Sequence, residues 1–129
     1  MEARERRRVL VIDDSEIALA MIREILEAQD FEVRGTTTLD TFDGLLKNWV
    51  PQVIVTDVNM PGMTGVELCT ELKRHYETAH VPILLCSSLP QVELEELARE
   101  CEADGFLSKE HSADRLGDEV NALCDAMVW

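Results

Sequence analysis

The chain has 129 residues and a formal net charge of −14 at neutral pH, from 12 basic and 26 acidic side chains. That length suits one domain, spanning 1–129 with its core at about 8–127, large enough to fold without disulfide or metal staples. The negative field repels nucleic acid and anionic membranes and favours basic protein surfaces or cations. No apolar run approaches the length of a bilayer span, and Met1–Arg8 lacks the apolar core of a signal peptide, so the cytoplasm is the expected compartment.

Val9-Leu10-Val11-Ile12 is an aliphatic run that reads as a buried strand, and Asp13-Asp14 follow it. Ser15 or Asp14 can cap a helix whose Ala18, Met21, Ile22 and Ile25 recur at helical spacing. Phe31–Arg34 reads as a short strand nearer the sheet edge, with Gly35 at its exit. Leu39–Trp49 is helical, with Phe42, Leu45, Leu46 and Trp49 on one face. Val53–Asp57 is the next buried strand, bracketed by Pro51 and the loop Asn59-Met60-Pro61-Gly62. Thr64 is placed to cap a helix running from Gly65 to about Tyr76.

Val81–Cys86 is a fourth strand and ends in Ser87-Ser88. Gln91–Ala103 makes an acidic helix with Leu94, Leu97, Ala98 and Cys101 inward. Gly105–Leu107 is a fifth strand leading into Ser108-Lys109, and Ser112 is expected to cap a helix with Leu116, Val120, Leu123, Cys124 and Met127 on one face. From Pro90 onward 11 acidic residues face three basic ones, so this stretch carries −8. The arginines among the first eight residues read as a solubilising tag. Cys69, Cys86, Cys101 and Cys124 form no Cys-x-x-Cys and share no zinc spacing with His75, His80 or His111, so four reduced, mostly buried thiols are expected.

Strand and helix alternate five times, which means a parallel sheet with helices on both faces. In such sheets the site lies beyond the carboxyl ends of the strands. Asp13, Asp14, Asp57, Ser87 and Lys109 stand at those ends and converge on one rim. Crowded carboxylates repel unless a cation joins them, and hard oxygen ligands suit magnesium. Lysine suits a phosphoryl oxygen, a serine hydroxyl can donate to another, and Asp57 is left as the nucleophile for an acyl phosphate. A salt bridge between Lys109 and one aspartate explains a single pair but neither the further acids nor the hydroxyl.

With these residues in this order, the chain resembles the receiver domain of two-component response regulators, of the single-domain, chemotaxis-regulator-like kind. The resemblance rests on Asp13-Asp14, on Asp57 with Met60-Pro61-x-x-x-Gly65, on Ser87 and on Lys109, and it covers essentially the whole chain. It implies an α/β, flavodoxin-like fold: a five-stranded parallel sheet of order 2-1-3-4-5 in a three-layer α/β/α sandwich. It also implies that a histidine kinase or histidine phosphotransfer protein phosphorylates Asp57. Asp14, Asp57 and the Asn59 backbone carbonyl would bind Mg²⁺ directly, with Asp13 helping through water. Ser87 and Lys109 would hold the phosphoryl oxygens, and Phe106 matches the family's aromatic switch position. The chemistry would be self-phosphorylation and self-dephosphorylation at Asp57 rather than turnover of a separate substrate. A basic or mixed-charge protein target is expected on the 91–127 face.

Two positions depart from the family pattern. Glu110 stands where receivers usually have proline after the lysine, so the Lys109–Glu110 bond is expected to be trans, since a cis bond there costs about 3–4 kcal/mol. Ser88 replaces a common alanine, and Leu89 lies at a position that, with the Asn59 side chain, shapes phosphoryl lifetime in this family. A phosphatase of the haloacid-dehalogenase type would need a second aspartate where Asn59 stands. A flavodoxin-like cofactor binder would set its phosphate against Asp13-Asp14. The remaining alternative is a degenerate receiver that serves as a docking scaffold without phosphorylation.

Overall fold

The computed structural model describes residues 6–126. In chain order the elements are β1 (Arg8–Ile12), α1 (Glu16–Ala28), β2 (Glu32–Thr36), α2 (Leu39–Trp49), β3 (Val53–Thr56) and α3 (Gly65–Arg74). They continue with β4 (Ile83–Ser87), α4 (Gln91–Cys101), β5 (Gly105–Ser108), a 3₁₀ turn over Lys109–His111, and α5 (Ser112–Asp125). All strands are parallel, in the order β2-β1-β3-β4-β5. This is the parallel sheet expected from the alternation of strand and helix, in the flavodoxin-like order that the family resemblance implied.

Alternation along the strands divides the core in two. Leu10, Ile12, Ile54, Ile83 and Leu85 face Phe42 and Trp49 of α2, Leu68 and Leu72 of α3, and Leu94 and Ala98 of α4. Val9, Val11, Val53, Val55, Leu84 and Cys86 face Ile22 and Leu26 of α1 and Leu116 and Val120 of α5. Both sheet faces are covered, so β1, β3 and β4 are mostly aliphatic and buried at almost every position.

Several boundaries and faces differ from the expectation. β2 starts one residue later and runs to Thr36, because its pairing follows β1 to Ile12↔Thr36. α3 stops at Arg74 rather than near Tyr76, and Tyr76 is almost fully exposed. β4 starts at Ile83, two residues later than expected, and ends at Ser87, which closes the strand as expected. α4 ends at Cys101, closed by Glu102 in the left-handed region. On α1 the buried pair is Ile22 and Leu26, with Leu19 and Ile25 packed beside them, whereas Met21 is exposed.

Ser112 does not cap α5. His111 holds the cap position after the 3₁₀ turn, and the buried Ser112 hydroxyl instead meets Cys86 Sγ at 3.7 Å. The arginine-rich start is not a free tag either. Arg7 binds the Asn121 side chain and Asp125, each at 2.6 Å. Arg8 donates to the Trp49 carbonyl at 2.7 Å, and Arg8 and Arg34 lie 5.5 and 5.1 Å from the Trp49 ring centre. Arg4, Met127 and Trp129 fall outside the described residues.

Candidate functional site

The carboxyl ends of β1, β3, β4 and β5 bring Asp13, Asp14, Asp57, Ser87 and Lys109 to one rim. Asp13 follows β1 and is buried; its Oδ1 accepts from the Ser15 amide at 2.9 Å. The Ser15 hydroxyl in turn accepts from the Ala18 amide at 3.2 Å and caps α1. One turn therefore fixes the first carboxylate and starts the first helix. Asp14, next along, is exposed.

Asp57 follows β3, is 8% exposed, and is held by both main chain and side chain. Its amide donates to the Ile12 carbonyl at 3.0 Å, and its Oδ1 accepts from the Val58 amide at 2.9 Å. The loop after it folds back so that the Gly65 amide donates to the Val58 carbonyl at 2.7 Å. A Cβ on Gly65 would lie 2.0 Å from the Asp57 carbonyl oxygen, so only glycine permits this approach. Thr64 and Glu67 close a capping box at the same point and start α3.

One oxygen from each of Asp13, Asp14 and Asp57 lies within 4.8 Å of the others. Lys109 Nζ reaches Asp13 Oδ2 at 2.7 Å and stands 3.6 Å from Asp57 Oδ1. Among the described residues, Lys109 is the one group that meets Asp13 Oδ2. Burial pushes the Asp57 carboxyl up, and the charge of Asp13 adds to the rise; Lys109 and the Val58 amide only partly offset it. Burial pulls the Lys109 ammonium down, but the hydrogen bond to Asp13 and the charge of Asp57 outweigh it and leave the group above the ordinary lysine value. One lysine against three carboxylates leaves negative charge uncompensated. The donors are all hard oxygens around a partly open site, which fits magnesium.

Ser87 is buried, and its Oγ accepts from the Leu89 amide at 3.3 Å. Phe106 is half-buried on β5, opposite Leu85 of β4, and packs against the core on the α2–α3–α4 side. Asn59 is exposed in the loop after β3. The Lys109–Glu110 bond is trans, as expected, and the chain forms the 3₁₀ turn there. Sequence reasoning missed the Ser15 and Val58 amides that orient the carboxylates, because backbone donors leave no residue-type signal.

The chain matches the family described as "Response regulator receiver domain" over residues 9–121. It is 30% identical over 125 residues to a chemotaxis protein CheY of Halobacterium salinarum, covering 93% of this chain and 98% of that protein. It is 28% identical to the phosphate regulon transcriptional regulatory protein PhoB of Rhizobium meliloti, covering 90% of this chain and 51% of the relative. In fold it superimposes on a response regulator from Chloroflexus aurantiacus with a TM-score of 0.86 at 24% identity, covering 94% of this chain and 99% of that one.

Proposed function

Because this chain belongs to the response regulator receiver family of two-component systems, we propose that it takes a phosphoryl group on Asp57 from a histidine kinase or phosphotransfer protein. The observation that carries this reading is the buried Asp57, grouped with two further carboxylates and 3.6 Å from Lys109. An Asp57 carboxylate oxygen attacks phosphorus, the bond from phosphorus to the donor atom breaks, and an acyl phosphate results. Asp14, Asp57 and the Asn59 carbonyl would hold magnesium, with Asp13 assisting through water, and the bound ion would supply the charge neutralisation that lets an anionic phosphoryl group approach a carboxylate.

Lys109 gives up part of its attachment to Asp13 and holds a phosphoryl oxygen, while the Ser87 hydroxyl donates to another. Ser87 must move toward that oxygen, which vacates space behind β4, and Phe106 is the bulky neighbour that fills it. The ring sits outward more often with Asp57 free and inward with Asp57 phosphorylated. The surface that changes is built from α4, β5 and α5. It exposes Glu93, Glu95, Glu96, Glu100, Glu102, Asp114 and Asp118, so it suits a basic or mixed-charge protein in the cytoplasm, bound less tightly as salt rises. Among the described residues no helix is long and apolar enough to cross a membrane.

The test is intact mass after incubation with acetyl phosphate and magnesium. One phosphoryl group should be added, and none with Asp57→Asn or with a chelator present. No gain from acetyl phosphate or from any kinase would leave the docking-scaffold reading in its place. Structures with and without beryllofluoride test the switch, and an unchanged Phe106 rotamer would contradict it.

A further inference from the structure

The four cysteines are free and buried, but they are not equivalent. Cys69 on α3 and Cys101 at the end of α4 are 32 residues apart in sequence and meet across the α3–α4 seam. Cys69 Sγ donates to the Cys101 carbonyl at 3.3 Å, and Cys101 Sγ lies 3.9 Å from the Ala98 carbonyl. Cys86 instead faces Ser112, and Cys124 belongs to the core on the other side of the sheet. The rim chemistry uses none of the four.

We propose that Cys69 and Cys101 form an oxidisable dithiol, closed to a disulfide by a peroxide, that pins α4 to α3. A hydrogen bond shared with the Cys101 side chain, together with burial, pushes the Cys69 thiol up, and the same contact draws the Cys101 thiol down. Cys101, the last residue of α4, is the thiol a peroxide reaches first and so the attacking one; Cys69, fully enclosed within α3, is the resolving thiol. Cys101 Sγ attacks one oxygen of hydrogen peroxide, the O–O bond breaks, and the departing hydroxide takes a proton to become water. The Cys69 sulfur, giving up its proton, then attacks the Cys101 sulfenic acid. The S–S bond forms, the S–O bond breaks and a second water leaves. Two thiols are oxidised for one peroxide reduced.

Cys101 is 2% exposed, so peroxide enters when the last turn of α4 opens, at the left-handed Glu102 that ends the helix. The reaction is slower than that of a surface thiol, and only a small oxidant fits. Its product joins the C-terminal end of the acidic helix to α3.

The test uses the full chain with magnesium and no phosphoryl donor, so its result is independent of Asp57 chemistry. After mild hydrogen peroxide, quenching and alkylation, a peptide map without reductant should show Cys69 linked to Cys101. The protein should lose two hydrogens in mass, regain them with dithiothreitol, and keep Cys86 and Cys124 alkylated. Amide exchange across Gln91–Cys101 should slow in the oxidised protein. Cys101→Ser should abolish the link, while Cys86→Ala with Cys124→Ala should keep it. Should Cys101→Ser fail to fold, the wild-type map decides alone. Cys69 and Cys101 still alkylatable after Cys86 or Cys124 has oxidised would overturn the proposal. So would a link that leaves α4 exchange unchanged.

Discussion

Two lysine–aspartate pairs at opposite edges of the sheet use the same groups to different ends. At the edge where the strands begin, Lys73 meets Asp104 at 2.7 Å, and the same oxygen accepts from the Ile83 amide at 2.8 Å. One cation meets one anion there, and the anion also ties the start of β4 to the turn before β5. At the edge where the strands end, Lys109 meets Asp13 at the same 2.7 Å, but Asp57 and Asp14 share the neighbourhood. The first pair is balanced and serves the fold. The second leaves carboxylates in excess in a buried setting, where charge is expensive unless something pairs it.

The comparison is sharpest where the two edges respond differently to substitution. Gly65→Ala should cost the most, about 3 kcal/mol, because backbone must shift to admit the new methyl. Chemical denaturation reads the loss, and phosphoryl uptake should fall with it. Asp104→Ala should cost about 2 kcal/mol, mostly from leaving the buried Ile83 amide without its acceptor. Phosphoryl uptake at equal folded fraction should be unchanged. A large fall would break the distinction between the two edges.

The smallest effect has the opposite sign. Asp57→Asn should raise stability near neutral pH by about 1 kcal/mol, a typical gain for relieving one unfavourable charge. The linkage supports this direction. Burial raises the folded-state pKa of Asp57 above its unfolded value, so the native state holds the proton longer. The group's favourable contribution is full below the unfolded pKa and is lost as pH rises through the folded one. The gain from Asp57→Asn should therefore shrink as pH falls through that window. Thermal melts across the acid range check it, and a variant less stable than wild type at neutral pH would contradict the raised pKa.

The fold was largely legible because Val9–Ile12, Val53–Thr56 and Ile83–Cys86 are aliphatic runs too short for helices, separated by amphipathic stretches. The rim was legible for a related reason: a carboxylate or lysine at the end of such a run has one edge of the sheet to occupy. What stayed hidden depends on contacts far apart in sequence. Nothing local to Arg7 announces Asn121 and Asp125, and nothing near Lys73 announces Asp104. Cys69 and Cys101 looked like unrelated core thiols until α3 and α4 packed together. Ser112 looked like a cap because its residue type suits one, but the 3₁₀ turn at Lys109–His111 moves the helix start and turns its hydroxyl into the core.

The claim that the end-of-strand rim carries uncompensated charge meets its most direct test in calorimetric titration of the unphosphorylated protein with magnesium at neutral pH. The wild type and Asp104→Ala should bind with equal affinity, and at ten times the dissociation constant the metal should stabilise each by about 1.4 kcal/mol. The double variant Asp14→Ala with Asp57→Ala should give no binding heat. Binding that survives in the double variant, or that disappears in Asp104→Ala while the protein remains folded, would contradict the account.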